Sequence, residues 1–264
     1  MTLKRLGWLY FLTVYPLRAA FEILTIQPLL VGQAGMVSLH FQGLNPATLR
    51  PVSGYALSIA SANIYGLKEL RYWEGQFNFR RRQIGGQWNL SGFGNDRYQE
   101  IHTGIHTGWR FNTLVTAGLG LEGYYLSIIH ATPVKLAALS AGMHFYPQQN
   151  LQISWLLYNL TCSSLQTPHP VLPQYLIGGL LWQPRPRIEL AAEFIQEICF
   201  PLSNRIGFRI ELLPDLLATC GYQSQPARIS AGLQYTRRGI SVSLAWHNHL
   251  VLPPTLYFGC GYQY

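Results

Sequence analysis

Strict two-residue alternation of apolar and polar side chains runs through most of the chain, and no other feature limits its fold as sharply. Ile206, Phe208, Ile210 and Leu212 alternate with Arg205, Gly207, Arg209 and Glu211. In 188–195, Ile188, Leu190, Ala192 and Phe194 oppose Glu189, Ala191, Glu193 and Ile195. Alternation of this kind puts the two sets on opposite faces of an extended strand, whereas a helix needs a period of 3.6. The pattern returns often enough to draw fourteen segments, near 53–65, 70–80, 83–92, 98–111, 113–127, 134–146, 150–160, 174–183, 187–197, 203–213, 215–223, 227–237, 239–248 and 255–264. Twelve is the alternative count. Most of these segments have the length of a tilted strand that crosses a bilayer.

Charge decides which kind of sheet this is. Only 11% of the residues are charged, against roughly 25% in an ordinary soluble domain. The apolar content is an ordinary 48%, so charge is missing where a water-facing surface would need it. After the N-terminus no run is long and apolar enough for a spanning helix. A closed barrel is the remaining way to satisfy every backbone polar group in lipid. The 16 Tyr, 12 Phe and 7 Trp residues suit aromatic girdles at the two interfaces. Net charge is +8, but the arginines gather at turns and no nucleic-acid motif accompanies them, so a nucleic-acid partner is not expected. Residues 1–20 read as an export signal: Lys4 and Arg5, an apolar stretch from Leu6 to Tyr15, then Ala19 and Ala20. The reading is an all-β transmembrane barrel over 53–264, in a bacterial outer membrane, with outer-membrane lipid as its surroundings.

The connections carry a second signal. Arg81-Arg82, Pro147–Gln149, Pro184–Pro186, Pro214-Asp215 and Arg238-Gly239 are tight, while Gly66–Glu69, Gly94–Asp96, Thr161–Pro173 and Asn248–Pro254 are looser. Outer-membrane barrels have short periplasmic turns and longer outer loops, so the tight set belongs to one, periplasmic, rim. The last segment sets Leu256, Phe258, Cys260, Tyr262 and Tyr264 on one face.

Several groups could carry chemistry. Glu189, Glu193, Arg205, Arg209 and Glu211 should face the lumen from adjacent strands, as a structural charge ladder or as a solute-selecting constriction. Arg80, Arg81, Arg82, Arg185, Arg187, Arg237 and Arg238 should ring the periplasmic rim, as plain solvated turns or as a dock for an acidic protein. His102 and His106 share one strand face, too far apart along the strand to share a metal. His247 and His249 are closer but have no carboxylate or thiol beside them in sequence. Cys220 and Cys260 should face lipid; Cys162 and Cys199 fall near the same rim, unpaired or as a disulfide. Gly118-x-Gly120 lies inside a strand and is no nucleotide fingerprint. No nucleophile with a neighbouring base is visible, so catalysis, metals and cofactors are not expected.

The order Phe21–Ile26, Gly32–Met36 and Leu44–Leu49, the last containing Asn45-Pro46-Ala47, resembles the N-terminal region of the PorV/PorQ group in the wider FadL-like barrel superfamily. Gly118–Leu121, Asn159-Leu160, Leu172-Pro173 and Gly221-Tyr222 are similar too. The resemblance implies fourteen strands and a plug or hatch segment over 21–52, with Asn45, Pro46 and Ala47 near the lumen. Only eight residues separate Met36 from Asn45, fewer than is usual there, so a large hatch is not expected. Two roles are implied. PorV-type members serve type IX secretion, as scaffolds or shuttles with periplasmic or secreted partners. FadL-type members take up hydrophobic small molecules through the barrel wall. The secretion role is the first reading, uptake of hydrophobic molecules the second, and a general porin the third.

Overall fold

The computed structural model describes residues 34, 44–48, 54–161, 172–197 and 200–264. The export signal, most of the 21–52 segment and the Cys162 and Cys199 pair lie outside them. Fourteen strands follow in order: β1 (Gly54–Asn63), β2 (Arg71–Arg81), β3 (Ile84–Gly94), β4 (Tyr98–Arg110), β5 (Val115–Ile128), β6 (Val134–Gln148), β7 (Leu151–Tyr158), β8 (Tyr175–Arg185), β9 (Ile188–Glu197), β10 (Ser203–Leu213), β11 (Leu216–Ser224), β12 (Ala227–Arg237), β13 (Ile240–His247) and β14 (Thr255–Gln263). Each pairs antiparallel with its sequence neighbour. β1 closes on β14, from Ala56 opposite Gln263 to Ala62 opposite Tyr257. Closure leaves no unpaired edge, which lipid would not tolerate. No described helix is long and apolar enough to cross a membrane.

The alternation has a physical cause at each strand. Along β2, Trp73, Phe77 and Phe79 point outward and are exposed, while Tyr72, Glu74, Gln76 and Asn78 point inward and are buried. β4 does the same with Ile105 and Trp109 outside and Glu100 and His106 inside. The usual soluble arrangement is inverted: the apolar set faces out and the polar set is buried, as expected where lipid is the outer solvent. Cys220 and Cys260 are free and sit on the outer face.

The two rims differ as the connections suggested. β2–β3, β4–β5, β6–β7, β8–β9, β10–β11 and β12–β13 turn at one end, within four residues each. The longer connections, including 159–174 and 248–254, lie at the other, together with the short Gln225-Pro226 turn between β11 and β12. Between β12 and β13 the turn is Arg238-Gly239, with φ of 51° and 82°. A two-residue hairpin with both φ positive matches strand twist, and it favours glycine at the second place. A Cβ on Gly239 would also lie 2.5 Å from the Gln263 carbonyl oxygen. Register shifts occur only near this rim, at Phe145/Gln148, Trp182/Arg185 and Glu211/Leu213. Elsewhere the ladders run without a break.

Candidate functional site within the lumen

The Asn45-Pro46-Ala47 motif sits inside the barrel. Asn45 and Ala47 are fully buried. The Asn45 amide donates from Nδ2 to the Trp155 carbonyl on β7 at 3.1 Å, and its Oδ1 accepts from the Ala47 N–H at 3.0 Å. Thr48 Oγ1 lies 3.0 Å from His144 Nε2 on β6. The wall is thinned to receive it. A Cβ on Gly118 of β5 would fall 2.3 Å from the Pro46 carbonyl oxygen, and one on Gly142 of β6 would fall 1.8 Å from Asn45 Oδ1. Glycine at these two places therefore lets the segment lie flat on the wall. Ala34 is likewise buried, against Leu181 of β8 and Ala191 of β9.

Beside this segment a carboxylate is enclosed without contact with solvent. Glu122 of β5 accepts from His106 Nε2 at 2.6 Å and from His102 Nε2 at 2.9 Å, and Ser140 donates to it at 3.0 Å. Its side chain is 0% exposed. Gly104 stands opposite Glu122 in register, and a Cβ there would meet Glu122 Oε2 at 2.2 Å. His102 and His106 are too far apart along β4 to meet each other directly, but both reach across to one group on β5. Strand spacing alone does not reveal this, because the meeting point belongs to the neighbouring strand. Among the described residues, no group of three His, Cys, Asp or Glu is placed to hold a metal ion.

Above the Glu122 group, toward the longer connections, the inward side chains form a packed apolar and aromatic cluster. Leu44, Tyr124, Leu126, Ala138, Leu156, Tyr158, Leu172, Ile177 and Ile195 pack together, with Tyr98 and Tyr175 at the margin. Leu156 faces Ile177 across β7 and β8, and neither is exposed. The Tyr124 and Tyr158 hydroxyls hydrogen-bond to each other. His102 stacks on Tyr124, with ring centroids 4.8 Å apart. His102 thus joins the apolar cluster to the Glu122 group. Alternation does not reveal this cluster: its residues occupy the inward positions, mixed with polar ones, and only strand register gathers them at one end.

The adjoining wall is charged. All five residues of the expected ladder lie on the inward face of β9 and β10. Arg209 Nη1 bonds Glu189 Oε2 at 3.0 Å, and Arg205 stands opposite Glu193 in register. Glu211 lies 4.0 Å from Arg187. The Arg209–Glu189 pair is only partly buried, so Arg209→Ala is expected to cost about 1 kcal/mol or less in a denaturant titration of the detergent-refolded barrel. Further along this wall the His247 and His249 rings lie 4.6 Å apart. His249, in the connection after β13, bonds Thr255 and is held below the usual imidazole range by burial and then by Arg228.

The seven rim arginines do not form one ring. Arg80 points inward and its Nε donates to the Arg82 carbonyl at 3.0 Å, so it belongs to the lumen mouth. The reason is parity: Arg80 shares the face of Asn78 and Gln76. Arg81, Arg185 and Arg237 end strands on the outer face, and Arg82, Arg187 and Arg238 occupy the turn tips.

A closed barrel with an apolar outer band and tight turns at one rim defines the class: this is an outer-membrane β-barrel. No family model matches the chain, and no curated relative matches it in sequence. Its fold is similar to that of the toluene transporter TbuX of Ralstonia pickettii, with a TM-score of 0.66 and 9% identity over 95% of this chain and 99% of that one. It is also similar to the toluene transporter TodX of Pseudomonas putida, at 0.62 and 10% over 92% and 98%. The Acinetobacter baumannii outer membrane protein Omp33 gives 0.54 and 7% over 80% and 98%. At these identities the likeness is one of fold.

Proposed function

We propose that this barrel is a passage for hydrophobic small molecules, with the apolar cluster under the longer connections as their first point of contact in the lumen. The observation that carries this reading is the cluster itself: buried aliphatic and aromatic side chains gathered at one end of a lumen that also buries many polar groups. Apolar pockets with a few convergent polar groups are the usual form of a small-molecule site. The Tyr124–Tyr158 hydroxyl pair and His102 supply those groups. The likeness in fold to transporters of an aromatic hydrocarbon supports the same reading. A general porin would need an open aqueous lumen, whereas Asn45–Thr48 occupies part of this one. The secretion-scaffold reading draws no support from either observation. The strand ladders run round the whole barrel and leave no gap for a sideways exit among the described residues.

Accumulation of labelled toluene at limiting concentration, by cells that lack a channel of their own, tests the reading. Cells carrying the barrel should take it up faster than cells without it. Leu156→Trp adds bulk within the apolar cluster from a position with no exposure and should return uptake to background, while heat-modifiable gel migration confirms a folded barrel. Wild-type uptake no faster than that of empty cells would remove the proposal.

A further inference from the structure

We infer that the short-turn rim is a collar for anionic phospholipid headgroups, built from one hairpin device used three times. The β2–β3 hairpin reads Arg81-Arg82-Gln83-Ile84, the β8–β9 hairpin Arg185-Pro186-Arg187-Ile188 and the β12–β13 hairpin Arg237-Arg238-Gly239-Ile240. In each, the first arginine is paired directly across the turn with the isoleucine: Arg81 with Ile84, Arg185 with Ile188, and Arg237 with Ile240. Partners in an antiparallel pair share one face of the sheet. Here it is the outer face, since Ile84 and Ile240 are exposed at 47% and 57% among the lipid-facing side chains. The second arginine, Arg82, Arg187 or Arg238, lies at the turn and is exposed.

The location selects the partner. An arginine on the outer face, beside an isoleucine in the hydrocarbon, runs its apolar stem along the barrel and puts its guanidinium at headgroup depth. Guanidinium donors match phosphate oxygens in a two-pronged contact. The neighbouring outward residues are the aromatics expected at that depth: Trp109 faces Ile84 in register, and Trp182, Phe79 and Tyr235 lie within three residues of the collar arginines on the same strands. None of Arg81, Arg185 and Arg237 has a carboxylate partner among the described residues. Asp215 is the exposed acid of this rim, whereas at the other rim Glu69 and Asp96 sit among Lys68, Arg71 and Arg97. A soluble acidic protein would reach the turn tips but not three arginines that face the bilayer, so lipid is the favoured occupant.

Brominated phospholipids test this through tryptophan quenching. The barrel is reconstituted in mixed vesicles, in a background with Trp8, Trp73, Trp88, Trp155 and Trp246 replaced by phenylalanine so that Trp109 and Trp182 report on the collar. Brominated phosphatidylglycerol should quench more strongly than brominated phosphatidylcholine. The preference should reach up to about fivefold per arginine in contact and shrink as salt is raised. Arg81→Gln, Arg185→Gln and Arg237→Gln together should abolish it, and lysine at the same three positions should keep most of it in an equally folded barrel. Equal quenching by the two lipids, or a preference that survives the glutamine substitutions, overturns the proposal. A rim that binds soluble polyglutamate through Arg82, Arg187 and Arg238 but shows no lipid preference also overturns it, and assigns the surface to an acidic protein.

Discussion

Replacing Glu122 with leucine should lower the stability of the barrel by about 3–5 kcal/mol, the cost of removing one partner from a buried charged group and leaving the others unpaired. The size of the effect follows from the enclosure. Glu122 has no solvent contact, and two imidazoles and one hydroxyl converge on its two oxygens. His106 is 3% exposed and Ser140 is not exposed at all, so neither can turn to water once the carboxylate is gone. Urea titration of the refolded barrel in detergent micelles measures the loss. His106→Phe placed in the Glu122→Leu background should recover part of it, since an apolar pair of similar size carries no unmet hydrogen bond. A loss below 1 kcal/mol would mean that water reaches the cluster and that the lumen is wetter than its packing suggests.

The second large effect is expected on permeability rather than on stability. Gly118→Val with Gly142→Val should dislodge the Asn45–Thr48 segment and raise the rate of liposome swelling in small sugars several-fold. At Gly142 the first added carbon falls 1.8 Å from Asn45 Oδ1, and at Gly118 it falls 2.3 Å from the Pro46 carbonyl oxygen. Asn45 cannot simply rotate away, because its amide is tied to the Trp155 carbonyl and to Ala47. The Pro46 contact is with backbone, which a rotamer change cannot relieve. Both substitutions point into the lumen, so the outer face and the strand ladders keep their contacts and the barrel should still fold, as heat-modifiable migration would show. Swelling no faster than wild type in a folded barrel would show that this segment is not what closes the lumen.

Not every functional feature was equally legible. The parity of Glu189, Glu193, Arg205, Arg209 and Glu211 follows from alternation, and all five do face inward. Arg80 shows the limit of reading by position alone: it stands at a turn with Arg81 and Arg82, yet parity sends it into the lumen. His102 and His106 show another limit. Their spacing along β4 rules out a direct meeting but says nothing of Glu122, which enters from the next strand.

The sequence by itself determined a barrel of fourteen strands, which faces of them meet lipid and which rim carries the tight turns. Those properties depend on side-chain period and turn residues, both local. Only the tertiary structure decided what the inward face becomes. Antiparallel register brings Leu126, Leu156, Ile177 and Ile195 to one end as an apolar cluster, encloses Glu122 between two histidines, and lays Asn45-Pro46-Ala47 against Gly118 and Gly142. The reason is physical: the contacts across a lumen join residues far apart in the chain, and their meeting is fixed by hydrogen-bond register and closure rather than by any periodicity a single strand can display.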